Sequence, residues 1–164
     1  MKQILILRHA KSSWDNSNII DFERPLADRG IRDAKKLSNF IKKSELILDK
    51  VICSSASRAK ETFDLVADSF NFLIEKATYT DELYFGDASN IINKIKTFDE
   101  SFKNILIVGH NPTLHFLVES LTNNNIARFT TCNLAIIYYE YDWIDLAPGK
   151  CSLKSLIKPK EIKD

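Results

Sequence analysis

Residues 4–14 read ILILRHAKSSW: four aliphatic side chains run directly into Arg8 and His9, and a small polar stretch follows. A short apolar run bounded by polar residues is the pattern of a strand buried on both faces. The same pattern recurs at 104–110, NILIVGH, where the strand again ends on a histidine. Helical stretches lie between and after these runs. Asp28 is placed to cap a helix with an apolar face of Ile31, Ala34, Leu37 and Ile41, and Ala59, Phe63, Val66 and Phe70 form a second such stripe after the strand KVICSS. ATYTDELYFG reads as a short strand entering a loop, and Ile91, Ile92, Ile95 and Phe98 form a third stripe. NPTLHFLVESL opens a fourth helix, with Asn111 as cap and Pro112 at the first helical position. LAIIYYEY and CSLKSLI are late strands around a turn at Pro148 and Gly149, and Lys154–Lys163 reads as a solvated basic tail. The alternation predicts an α/β fold: a three-layer sandwich with a mostly parallel sheet, helices on both faces and an antiparallel edge formed by the last pair.

Composition narrows the function. A chain of 164 residues with 45% hydrophobic residues is the size of one domain, expected to span 1–164 and to bury about 70% of its unfolded surface. The formal net charge of +1 gives no field suited to nucleic acid or anionic lipid as a main partner. Four scattered glycines build neither a dinucleotide fingerprint nor a P-loop. Three cysteines without paired spacing and no signal-like apolar N-terminal segment lead us to expect a reduced, cytoplasmic protein, and no run reaches the roughly 18 to 20 apolar residues of a membrane span.

Ligands of open α/β sheets bind beyond the carboxyl ends of the parallel strands. Applied before any residue is chosen, that rule collects Arg8 and His9, Ser54 to Arg58, Asp81 and Glu82, and Gly109 to Asn111. Two of the three histidines and two arginines thus meet at one edge. Guanidinium forks match phosphoryl oxygens, and a helix start offers free N–H groups to the same anion. Arg58 in the first turn of its helix sits against the helix dipole, which suggests an anion beside it. A neutral imidazole can attack phosphorus while a second, held protonated by the phosphate's charge, stabilises the equatorial oxygens. Such a scheme takes its positive charge from Arg8, Arg58 and one histidine and needs neither metal nor cofactor. His110 and His115 are five residues apart, on different helix faces, and His115 reads as a surface or packing residue.

With these residues in place, the chain resembles the histidine phosphatase superfamily, the phosphoglycerate mutase-like proteins in which a strand ends in an Arg-His pair and the histidine is transiently phosphorylated. LILRHAKSSW, PLADRG, SSASRAKET, DELYFG and VGHNPTL fall in the family's order over roughly residues 1–120. The length, the Asn-Pro after the second histidine, the absence of roofing insertions and FTTCNLA at 129–135 are similar to the SixA-type phosphohistidine phosphatases. The resemblance implies His9 as nucleophile, with Arg8, Arg58 and His110 as the phosphate pocket. Ser12 either donates its hydroxyl to phosphate or caps a turn, and Asn111, by residue type a helix cap, is counted among the substrate-binding residues with Arg8, Ser12, Arg58 and His110. Glu82 falls where many relatives place a proton donor, the alternative being an ordinary loop glutamate. Asp15 departs from the asparagine of mutase relatives, and a carboxylate there would repel a phosphoryl dianion, which argues against mutase activity.

The expected function is metal-independent hydrolysis of phosphohistidine on a partner protein, since a leaving imidazole resembles the attacking one and asks little of an acid. Little chain is left over for a lid, and an open site admits a protein side chain. One alternative is a small-molecule phosphomonoesterase using the same residues. A phosphoprotein-binding module without turnover is another, against which both histidines count. A cysteine phosphatase is a further rival, but CSSASR places four residues between Cys53 and Arg58 where those enzymes need five.

Overall fold

Alternation along the first strand sorts the core into two layers. In the computed structural model, which describes residues 1–164, β1 spans Lys2–Arg8. Ile4 and Ile6 project into one cluster of buried side chains, and Leu5 and Leu7 into a second on the other face of the sheet. All four are fully buried, which is why this strand reads as a continuous apolar run.

The remaining elements follow in alternation: α1 (Asp28–Lys42), β2 (Lys50–Ser54), α2 (Ser57–Val66), β3 (Thr78–Thr80), α3 (Glu82–Phe85), α4 (Ala88–Ile95), β4 (Asn104–Gly109), α5 (Thr113–Thr122), β5 (Leu134–Tyr139) and β6 (Ser152–Ile157). The six strands lie in the order β3-β2-β4-β1-β5-β6. Helices α1 and α2 cover one face through Ala34, Leu37, Ile41, Ala59, Phe63 and Val66. Leu83 of α3, Ile91, Ile92 and Ile95 of α4, and Leu114, Leu117, Val118 and Leu121 of α5 cover the other. Strands β1 to β4 are parallel; β5 pairs antiparallel with both β1 and β6. The expected layers, parallel sheet and antiparallel pair are therefore those of the molecule. No helix is long and apolar enough to cross a membrane.

Four local expectations are revised. Ala27 precedes the first turn of α1, and Asp28 is its first helical residue, so the carboxylate meets the positive end of the helix without acting as cap. The stripe ending at Phe70 is α2 followed by a 3-10 turn, Ala67–Phe70. The loop after β3 is the short helix α3, because Leu83 has a place in the core. The segment Lys154–Lys163 is no solvated tail: it supplies most of edge strand β6, Pro159 is buried, and Ile157 and Ile162 pack against the α1/α2 layer. Its lysines alternate with these apolar residues, so the charge belongs to a half-buried edge.

One position in α1 shows how closely the layers meet around the strand ends. A Cβ on Gly30 would lie 2.2 Å from the carbonyl oxygen of Lys11. Glycine lets the helix start touch the loop that follows β1, where Ala27 N–H donates to that same carbonyl at 2.9 Å and Ser13 N–H to Pro25 at 2.8 Å. The PLADRG motif is thus the strap across this loop.

Candidate active site

Register brings the two histidines side by side. Arg8 of β1 pairs with Gly109 of β4, so His9 and His110 each stand one residue past the last pair, with ring centroids 5.1 Å apart. His9 N–H donates to the Gly109 carbonyl at 3.0 Å, tying the two strand ends together. Arg58 arrives from the first turn of α2, and all four side chains line one open pocket of about 270 Å³ with Lys11, Ser12, Trp14, Arg24, Asn111 and Thr131.

The tautomer of His9 follows from its partner. Nδ1 lies 2.7 Å from the Ala10 carbonyl, an acceptor only, so Nδ1 carries the proton and Nε2 keeps the lone pair when the ring is neutral. Burial, the largest influence, pushes the His9 pKa down to about 3; the Ala10 carbonyl opposes it, and His110, Arg58 and Arg8 add to it. His110 falls to about 4, again chiefly by burial, with Arg58 and Arg8 lowering it and Asp21 raising it. Its Nε2 shares a hydrogen bond with Ser54 Oγ at 2.8 Å, while its buried Nδ1 has no partner within the protein. Both rings are therefore neutral near pH 7.

An anion of the protein's own stands beside Arg58. Arg58 donates to the Asp21 carbonyl at 2.7 Å and to the Asp21 carboxylate at 3.0 Å. The same carboxylate accepts from Arg24 at 3.0 Å and from the Tyr84 hydroxyl. Those bonds, Tyr84's foremost, hold the Asp21 carboxyl down to about 2. Arg24 also donates to Ser12 Oγ at 2.7 Å and to the Ser13 carbonyl at 3.0 Å. Because Ser12 accepts from Arg24, its own hydroxyl proton is free to donate into the pocket.

The helix after β4 begins at Thr113, one residue later than expected, and Asn111 does not cap it. Instead Asn111 Nδ2 donates to the Phe129 carbonyl at 2.6 Å, which also accepts from Arg8 at 3.2 Å. Glu82 lies outside the pocket. Its side chain is exposed beside Asn90 and Lys94, and the residue of α3 turned toward the histidines is Tyr84, whose ring is 5.3 Å from that of His110. Asp15 is exposed and does not line the pocket. His115 pairs with Glu119 at 3.3 Å on the surface of α5. Cys53 is fully buried, and burial pushes its thiol pKa up, which removes the thiolate a cysteine phosphatase needs. No three His, Cys, Asp or Glu side chains gather where they could hold a metal.

Reading strand ends misses Asp21, Arg24, Tyr84 and the segment 129–133. The Cys132 N–H lies 3.1 Å from the Arg8 carbonyl and 3.0 Å from that of His9, and the Asn133 carbonyl accepts from Arg8 N–H at 3.1 Å. Cys132 reaches both with a left-handed backbone, φ 61°. FTTCNLA is thus a brace for Arg8, His9 and Asn111. Asp21 and Arg24 lie in the polar stretch before PLADRG, where no periodicity marks them.

Comparison with known proteins places this arrangement. The sequence matches the family model described as histidine phosphatase superfamily (branch 1) over residues 4–100. An uncharacterised protein of Mycobacterium leprae is 30% identical over 166 residues, covering 94% of this chain and 100% of that one. The phosphohistidine phosphatase SixA of Escherichia coli K12 is 24% identical over 160 residues, covering 93% of this chain and 96% of SixA. In three dimensions, protein histidine phosphatase SixA complexed with tungstate superposes with a TM-score of 0.84 at 24% identity, over 98% of this chain and 99% of that one. A phosphoserine phosphatase of Entamoeba histolytica gives 0.67 at 14% identity, over 95% and 96%. The family model spans more than half of the chain, from the first strand to beyond the fourth helix: the chain belongs to the histidine phosphatase superfamily.

Proposed function

We propose that this protein is a phosphatase that removes the phosphoryl group from phosphohistidine on a partner protein, through a phosphorylated His9. The observation that carries the reading is the fixed tautomer of His9: Nδ1–H is committed to the Ala10 carbonyl, leaving Nε2 as a lone-pair nucleophile among Arg8, Arg58 and His110. In the first step Nε2 bonds to phosphorus as the P–N bond breaks of a substrate imidazole that carries a proton on its other nitrogen, and the bonding pair stays on the departing neutral imidazole. In the second, water oxygen bonds to phosphorus, the pair of the P–Nε2 bond returns to His9, and the proton leaves with inorganic phosphate.

The guanidiniums of Arg8 and Arg58 meet the charge of the transferring group, Ser12 donates its free hydroxyl proton, and Asn111 supports the Phe129 carbonyl that fixes Arg8. A dianion between the rings raises the pKa of His110 and favours its protonated form, which then stabilises the equatorial oxygens. The scheme draws its positive charge from these side chains, so turnover is expected to be indifferent to chelator. The placement of Glu82 outside the pocket favours a leaving group that needs no acid, which sets phosphohistidine above the rival small phosphate esters.

Trapping tests this. A phosphoenzyme labile to acid and stable to base is expected in the wild type and absent from His9→Ala, whose kcat/KM falls at least about 10³-fold. Full turnover by His9→Ala overturns the mechanism. Side-by-side assay of a phosphohistidine protein against a panel of phosphate esters, with and without chelator, tests the substrate.

A further inference from the structure

Trp14 is 71% exposed, an unusual place for the largest apolar side chain in a protein that buries Trp143 completely. It stands on the rim of the pocket that holds His9, Arg58 and His110. The indole is held in place nonetheless. The guanidinium carbon of Arg24 lies 3.1 Å from its ring centroid, and that guanidinium is buried and bonded through all three nitrogens to Ser12, Ser13 and Asp21. One face of the ring therefore rests on a clamped planar cation, and the other is open to solvent beside the pocket.

A rigid aromatic face with one side free is a stacking surface, and stacking discriminates by the shape of what is stacked. We propose that Trp14 is a specificity-determining residue whose free face stacks the planar ring of the leaving group. The site would thereby prefer phosphoryl groups carried on an aromatic or heteroaromatic ring over those on an aliphatic chain. This rests on the reading that the pocket holds the phosphoryl group, and it narrows the substrate to a class of which the imidazole of phosphohistidine is a member. Arg24 is then a positioning residue: its fork fixes the plane of the indole and, through Ser12, links that plane to the phosphoryl pocket.

Inert phosphonates test the inference apart from any chemistry. Phenylphosphonate and methylphosphonate differ by the ring alone, and neither can be hydrolysed. Wild-type protein is expected to bind the phenyl compound about fivefold or more tightly than the methyl one. Trp14→Ala should bring that ratio close to one, and Trp14→Phe, which keeps a ring, should retain most of it. Phenylphosphonate should also alter tryptophan emission in the wild type but not in Trp14→Phe, whose only indole is Trp143 at the opposite end of β1. A phenyl-to-methyl ratio equal in wild type and Trp14→Ala, or a wild-type emission that does not respond, overturns the inference while leaving the phosphoryl site intact. Failure of both phosphonates to bind wild-type protein overturns the reading of the pocket itself, and the stacking inference with it.

Discussion

The loops after β1 and after β3 reach the same edge of the sheet and are built in opposite ways. Residues 9–13 are held almost entirely by distant partners. Gly109 and Cys132 secure the backbone of His9, Thr62 Oγ1 accepts from Ala10 N–H at 2.9 Å, and Pro25 and Ala27 secure Ser13 and Lys11. Residues 81–86 are held mostly by themselves: Tyr84, Phe85 and Gly86 bond back to Asp81 and Glu82 within one short turn. Leu83 in the core, Tyr84 on Asp21 and against the rings of Phe22 and His110, and the Thr113 hydroxyl on Gly86 tie that turn to the rest through side chains. The difference teaches where fixed geometry is required. A nucleophile needs its lone pair aimed within a fraction of an ångström, so its loop is anchored from four elements; a rim that meets substrate from outside needs only to be present.

The largest expected effect comes from pushing on the anchored loop. Gly30→Ala would place a methyl 2.2 Å from the Lys11 oxygen, a backbone-to-backbone clash that no side-chain rotation relieves. We expect a loss of about 3 kcal/mol of stability, a fall in Tm of roughly 6–12 °C, and a drop in kcat/KM of about 10²-fold beyond what unfolding explains. Thermal melts and assays well below Tm check this, and a stable, fully active variant would mean that the strap from PLADRG does not set the pocket.

Protonation tests the anchored side of the comparison a second way. The rings of His9 and His110 titrate in the folded protein at about 3 and about 4, against an ordinary value of 6.5. Between those limits the unfolded chain takes up protons that the folded one refuses, so stability rises with pH through this window and is lost as pH falls. With both rings withheld, the slope approaches about 2.7 kcal/mol per pH unit. Denaturant midpoints measured between pH 7 and 4 should follow it, and His110→Asn should flatten it by about half. Inorganic phosphate should restore midpoints at the acid end, because a bound anion favours a protonated His110. An unaltered slope in His110→Asn would deny that burial keeps the ring neutral.

What the sequence makes legible follows the same division. His9, His110 and Arg58 are legible because each lies just past the end of a strand, and the sheet's geometry carries strand ends to one edge whatever else the chain does. Asp21, Arg24 and Tyr84 have no such periodicity: their meeting depends on a loop path and a four-residue helix, and nothing in local spacing records it. By residue type alone Asn111 is a cap, whereas the Phe129 carbonyl, 18 positions away, claims its amide. The C-terminal lysines read as a tail because charge masks the alternation of Leu156, Ile157 and Ile162 beneath it. Cys132 is unreadable for a different reason, since only its left-handed backbone reveals that it braces Arg8 and His9.

The smallest expected effect tests the rim. Glu82 sits on the locally held turn with its carboxylate in solvent, outside the pocket that contains His9. If it takes no part in proton transfer, Glu82→Gln lowers kcat/KM on phosphohistidine by less than about twofold, while a positioned acid would contribute roughly 10²–10⁴-fold to an ester with a poor leaving group. Running both substrate classes through the variant sharpens the contrast between the loops. A loss of tenfold or more on alkyl phosphates alone would show that α3 swings its carboxylate to the leaving oxygen when such a substrate binds. The loop after β3 would then be a moving part, held by its own short-range bonds because it has to travel, and the division between anchored floor and passive rim would give way to one between a fixed nucleophile and a mobile acid.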